Sequence, residues 1–228
     1  MKKLLLIIIF LILSVVVYTE IYNIVNIQHK GIWRVIWTDS GKSIKILNLP
    51  DVRQSTGYTC GVSSLQSILM YWGKEYREDM LSQMASSHSE YGTPPENIVS
   101  VAKNLGLQAE IKQECTISEI EKWIEAGIPV IVDIQAWKDK DNTLCWKDCW
   151  EDGHYVVAIG YDEKNIYFED ASILGAIGYI PKEEFLDRWH DYEGKGPFDA
   201  KTSKITKNLA IIIQGNQPVV QEFIQNIK

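Results

Sequence analysis

Positive charge is scarce in this chain. Twenty-three lysines and arginines stand against 30 aspartates and glutamates, a net charge of -7 over 228 residues, whereas a general nucleic-acid binder needs a basic face for phosphates. No phosphate-binding glycine loop, internal repeat or low-complexity tract is present, which sets aside P-loop nucleotide chemistry, solenoids and disordered linkers. Hydrophobic residues at 46% and charged residues at 23% are instead the proportions of a globular protein. Once an N-terminal segment is set apart, the length suits one domain with extensions.

Long apolar runs are lacking except at the N-terminus. Lys2 and Lys3 precede an unbroken run from Leu4 to Leu13, which resumes after Ser14 through Val15, Val16, Val17 and Tyr18. Small residues of an A-x-A-like cleavage site are also lacking, because Val15-Val16-Val17-Tyr18-Thr19 is bulky and mostly β-branched. Residues 1–22 therefore read as an N-terminal membrane anchor, or as a signal segment if cleaved. The run is short for a span of about twenty residues, though Thr19, Ile21 and Tyr22 extend it around Glu20. The two lysines hold the N-terminus in the cytoplasm and place the remainder on the outer side, or release it there after cleavage.

The stretch Gln54-Ser55-Thr56-Gly57-Tyr58-Thr59-Cys60-Gly61 joins a loop to a helix. Beyond it Val62, Leu65, Ile68, Leu69 and Trp72 recur at spacings of three and four, and Gly73 ends the pattern. Cys60 thus stands at a helix N-terminus, where free N–H groups and the helix dipole favour a nucleophilic thiolate. Taken alone, the position fits a buried core cysteine better than a catalytic one.

The rest of the chain divides into a helical half and a β-rich half. A β extension spans residues 23–50, with Trp33, Val35 and Trp37 in one strand and Ile44, Ile46 and Leu47 in the next, across the turn signal Asp39-Ser40-Gly41. The domain proper spans 51–228. Helices are predicted from Arg77 to His88 and from Pro95 to Leu105. A short strand over Gln108–Lys112 precedes a helix capped by Ser118 and ended by Gly127. Strands follow over Ile128–Ile134, Tyr155–Tyr161, Asn165–Phe168, Ala176–Ile180 and Leu209–Ile213, with a helix from Lys182 to about Trp189. Helices first and strands later predict an α+β domain whose Cys60 helix packs on an antiparallel sheet.

His154 opens the strong strand behind Gly153, and Asp170 ends the next one. If the two strands pair as a hairpin, both residues lie at one end of it. The carboxylate can then hold the imidazole in one tautomer, basic enough to take a proton from a thiol. Gln54, six positions before Cys60, can aim its amide at the same point. With the Cys60 backbone N–H it makes a two-donor oxyanion hole. His29, His88 and His190 rank below His154. His29 precedes the domain, His88 ends a polar helix, and His190 follows a surface-like helix with no partner strand.

The order Gln54, Cys60-Gly61, Gly153-His154-Tyr155-Val156-Val157 and Asp170 resembles the peptidase domain of bacteriocin-processing, double-glycine-leader cysteine peptidases, which are papain-like. The likeness covers roughly Leu49 to Trp189. It implies Cys60 as nucleophile, His154 as base, Asp170 as its orienter and Gln54 as oxyanion donor, with a peptide or protein as substrate and no cofactor. Exporter-type members face the cytoplasm on a transporter and clip after Gly-Gly. This chain has one short apolar segment and an outward-facing reading, and lacks the proline that often follows the aspartate, so the double-glycine substrate does not carry over. A transglutaminase-like or amidase acyl transfer on the same fold, or a silent peptide-binding module, are the rival functions.

The insertion Leu144-Cys145-Trp146-Lys147-Asp148-Cys149-Trp150 precedes His154. Outside the membrane it reads as a Cys145–Cys149 disulfide. A zinc site built with Cys115 would need a fourth ligand, and using His154 would forfeit the base, so no metal is expected. Trp137, Trp146 and Trp150 are candidates for the mouth of a cleft or for the packing of this loop.

Overall fold

The computed structural model describes residues 31–37, 42–137, 146–193 and 196–219. The expected anchor over residues 1–22, the turn at Asp39-Ser40-Gly41 and the Cys145 end of the expected disulfide lie outside these residues. Among the described residues no helix is long and apolar enough to cross a membrane.

The periodic run after Cys60 forms helix α1, Cys60–Tyr71, with Val62, Leu65, Ile68 and Leu69 fully buried. Gly73 ends it at φ +75, where the left-handed backbone suits glycine. The serines on this helix are also buried, and they find backbone partners. Ser64 donates to Tyr155 O at 3.2 Å and Ser67 to Pro50 O at 2.9 Å. Buried hydroxyls are thereby satisfied and α1 is tied to the sheet.

Two shorter helices follow, α2 (Glu78–Met84) and α3 (Pro95–Asn104), the latter opened by proline in its first turn. The first stops well before His88, because Ser86 turns to φ 50. Helix α4 spans Ile117–Glu125, and its cap is Thr116 rather than the expected Ser118. Thr116 Oγ1 accepts from Glu119 N at 3.3 Å while Glu119 Oε2 accepts from Thr116 N at 2.8 Å. This reciprocal box satisfies two N–H groups, and Ser118 offers no equivalent. Helix α5, Lys182–Arg188, brings Phe185 into the core beside Trp189, whose Nε1 donates to Leu209 O at 2.8 Å.

Eight strands form one antiparallel sheet: β1 (Trp33–Trp37), β2 (Ser43–Leu47), β3 (Gln108–Lys112), β4 (Val130–Gln135), β5 (Gly153–Tyr161), β6 (Asn165–Glu169), β7 (Gly178–Pro181) and β10 (Ala210–Gln214). Its order is β1-β2-β5-β4-β10-β3, with β6 also pairing β5 and carrying β7. The β1–β2 hairpin joins the sheet where Ile46 meets Gly160. A Cβ on Gly160 would lie 2.5 Å from the Ile46 side chain, so this junction requires glycine. A separate hairpin, β8 (His190–Glu193) with β9 (Lys204–Lys207), was not foreseen. His190 therefore has a partner strand. It is buried, and its Nε2 bonds to Cys149 O at 2.8 Å, which gives it a structural role.

Tyr71, fully buried at the end of α1, donates its hydroxyl to Gly127 O at 3.1 Å and accepts from Ile32 N at 3.2 Å. Burial pushes its phenol up to about 12. Tyr71→Phe strands both backbone groups and is expected to cost about 1–3 kcal/mol, read as a lower urea midpoint at unchanged slope. An unchanged midpoint would mean that water replaces the hydroxyl.

Candidate active site

The loop before α1 is held from outside itself. Glu78 accepts from Ser55 N at 3.0 Å and from Ser63 Oγ at 2.9 Å, so a carboxylate on α2 ties the approach loop to the first turn of α1. Thr59 lies just before the helix and bonds back to Thr56. Cys60, 9% exposed, lines the neighbouring cleft. Gly61 keeps the helix close, since a Cβ there would lie 3.1 Å from both Ile98 and Tyr155.

The pairing of β5 with β6 brings His154 and Asp170 together. His154 Nε2 and Asp170 Oδ1 are 2.7 Å apart, with the ring 1% and the carboxylate 13% exposed. Cys60 is the other group that acts on the His154 ring, and its influence, like that of Asp170, raises the imidazole. With Nε2 given to Asp170, Nδ1 is the nitrogen left for sulfur. Burial pulls the imidazole down, but the bonds and charges of Asp170 and Cys60 outweigh it and push it up to about 9. Burial also works against ionised Asp170. The His154 bond and the Ser172 N–H, 2.8 Å from Oδ1, nonetheless hold it below its ordinary value.

Gln54 is joined to the same turn. Its backbone N donates to Ala171 O at 3.0 Å, its Oε1 accepts from Ser172 Oγ at 3.1 Å, and its Nε2 donates to Thr56 O at 2.9 Å. The loop after Asp170, which lacks the proline, thus fixes the amide oxygen of Gln54, and one Nε2 hydrogen has no partner among the described residues. Glu169, buried beside Asp170, accepts from Val52 N at 3.0 Å, and burial pushes it up to about 7. All four expected residues accordingly fall in one neighbourhood, linked through the 54–60 loop and the 170–172 turn.

Trp137 lies over the His154 ring with centroids 4.3 Å apart. Its φ of 49 is an uncommon backbone for a bulky side chain, and such residues cluster at functional sites. Trp150 lines the cleft, and Trp146 instead stacks beneath Arg188, 4.1 Å from ring centroid to guanidinium. The cleft of about 650 Å³ beside Cys60 is also lined by Tyr155, Asp133, Asp191 and Thr206. None of these four was a sequence candidate. Asp133 interrupts the apolar strand 130–134, a visible signal, but Asp191 and Thr206 sit in a short polar hairpin without clear alternation. Among the described residues no three histidine, cysteine, aspartate or glutamate side chains cluster to hold a metal ion.

Residues 46–197 match the Peptidase_C39 like family. ComA of Streptococcus pneumoniae, a transport/processing ATP-binding protein, is 25% identical over 131 residues, covering 57% of this chain and 16% of that protein. The chain thus matches a small part of this curated relative. A solved C39-like peptidase from Bacillus anthracis superposes with a TM-score of 0.56 at 21% identity, over 75% of this chain and 96% of its own. A double glycine motif protease from an AMS/PCAT transporter, solved in complex with the leader peptide, gives 0.51 at 19% identity, over 74% and 93%. The matched stretch carries the helix-start cysteine, the histidine-led strand and the aspartate after β6: the chain belongs to the Peptidase_C39 like family, and its fold is that of a cysteine peptidase.

Proposed function

We propose that the chain is a membrane-anchored cysteine peptidase whose domain, residues 51–228, faces the outer side of the membrane and cleaves peptides through an acyl-enzyme. The observation carrying this reading is the His154–Asp170 pair, 2.7 Å apart, with Cys60 acting on the same ring from the start of α1 and lining the cleft. The leader peptide bound by the double glycine motif protease supports a peptide as substrate, and the apolar residues 4–18 behind two lysines support the anchor and its orientation.

In the forward step the Cys60 proton is already on the His154 ring, and the resulting thiolate attacks the scissile carbonyl carbon. The carbonyl oxygen becomes an oxyanion that accepts from Cys60 N–H and the remaining hydrogen of Gln54 Nε2. The C–N bond then breaks, and His154 returns the proton to the departing amine, leaving a thioester. Water, deprotonated by His154, hydrolyses the thioester and frees the sulfur.

Thiol labelling tests the assignment. Burial and the nearby Glu119 push Cys115 up to about 11, so it stays a thiol in mild acid. Iodoacetamide at about pH 6 is expected to modify Cys60 at least about a hundredfold faster than Cys115, followed by mass spectrometry. Peptide cleavage should fall in step with that modification, and equal rates at the two thiols would overturn the nucleophile.

A further inference from the structure

Asp133 stands where a strand buried along its whole length would ordinarily carry an aliphatic residue. It is 6% exposed on β4 and in register with Tyr155, the residue after His154. Asp191 of β8 is hydrogen-bonded to it, so two carboxyl groups meet in a buried place. Asp191 Oδ1 also accepts from Gln135 Nε2 at 3.0 Å. Gly153 makes the space, because a Cβ there would lie 2.0 Å from Asp191 Oδ2. Burial and the mutual charge raise Asp133 well above its usual range, and burial raises Asp191 to about 6. Juxtaposed buried carboxyls either share a proton or are answered by a cation, and a cation that reaches the pair can replace the shared proton.

A second observation points to the same missing partner. Thr206 faces Asp191 across the β8–β9 ladder, is 1% exposed, and its Oγ1 has no hydrogen-bond partner among the described residues. It lines the same cleft as Cys60, Asp133, Asp191 and Glu193. Among the described residues lining that cleft the one lysine or arginine is Lys204, whose Nζ is already held by Glu193 at 2.8 Å and Glu96 at 3.6 Å. The site therefore has carboxyl and hydroxyl acceptors in excess of donors. Tyr155, Tyr58 and Pro94 supply walls for an aliphatic stem. A guanidinium or ammonium at the end of a flexible chain supplies donors and a positive charge together, whereas a neutral side chain supplies donors at most and an acidic one neither.

We propose that this acidic cleft is a specificity subsite receiving the side chain of a substrate arginine or lysine that flanks the scissile bond. It rests on the peptidase reading, in which the neighbouring Cys60 is the nucleophile. The chemistry selected here differs from that of a glycine pair, which would leave Asp133, Asp191 and Thr206 unanswered.

The test is binding, so that it does not depend on turnover. Full-length protein carrying Cys60→Ala is titrated with labelled octapeptides in which one arginine is stepped through the sequence, each beside its citrulline counterpart, with fluorescence polarisation as the readout. At one position or more arginine should bind about tenfold to a hundredfold more tightly than citrulline, the worth of a charge-assisted hydrogen bond. Adding Asp191→Asn, which keeps an acceptor for Gln135, should bring the ratio to near one. Thr206→Val should lower it by about threefold to tenfold. A ratio near one at every position, or one untouched by both substitutions, would overturn the subsite. Hydrolysis by the unsubstituted chain is scored separately. Peptides that bind with the arginine preference but are never cleaved would sink the peptidase reading and leave the cationic subsite standing, while cleavage without the preference would do the reverse.

Discussion

Cys60→Ala is expected to lower kcat/KM for a cleavable peptide by about ten-thousand-fold or more, with the urea midpoint near that of the parent protein. In the proposed mechanism the Cys60 sulfur supplies the bond that makes the acyl-enzyme, and no general base compensates for its absence. Nearby hydroxyls are poor substitutes. Thr59 Oγ1 is 3.0 Å from Thr56 Oγ1, and Ser63 Oγ donates to Thr59 O and Glu78, so both are committed to holding the loop. His154→Ala should fall to a comparable floor, and the double variant no lower, because the two residues act as one unit. Multiplying losses would count against a shared proton path. Wild-type turnover by Cys60→Ala would place the nucleophile elsewhere.

Much of this site is legible in the sequence because its parts are local. A helix beginning at Cys60 follows from the spacing of Val62, Leu65, Ile68 and Leu69, and a strand beginning near His154 follows from the apolar run to Ile159. The pairing of β5 with β6 follows from a short turn at residues 162–164, and it places His154 near Asp170. What the sequence leaves out is held by long-range contacts. Glu78 on the 55–63 segment, Ser172 on Gln54, and Glu169 on Val52 each span a chain separation that no local pattern records. The Thr116 cap was open to a closer reading, since Glu119 stands three residues on. The β8–β9 hairpin was not, because His190-Asp191-Tyr192-Glu193 and Lys204-Ile205-Thr206-Lys207 lack a strong apolar face. That hairpin carries Asp191, the partner of Asp133, and gives His190 its partner strand, so neither pairing is visible in a local pattern.

Asp170 gives the second large effect, and its two components separate by variant. Asp170→Ala removes both the acceptor and the charge beneath His154 and is expected to lower kcat/KM by about a hundredfold to ten-thousandfold. Asp170→Asn can keep an oxygen where Oδ1 now accepts from both the His154 ring and Ser172 N, so its loss should be nearer tenfold. The pH profile then reads the charge. On the proposed mechanism, activity in the parent protein should fall as pH rises through about 9, where the ring loses the proton that it would return to the leaving amine. Burial acts downward on that ring, and the Asp170 bond and charge act upward. Taking the charge away leaves burial less opposed, so the alkaline limb of kcat/KM in Asp170→Asn should move to lower pH. Partial activity with a limb that stays near 9 would show that Asp170 only orients the ring. A limb displaced downward, with Asp170→Ala far weaker than Asp170→Asn, is the signature of a carboxylate that does both.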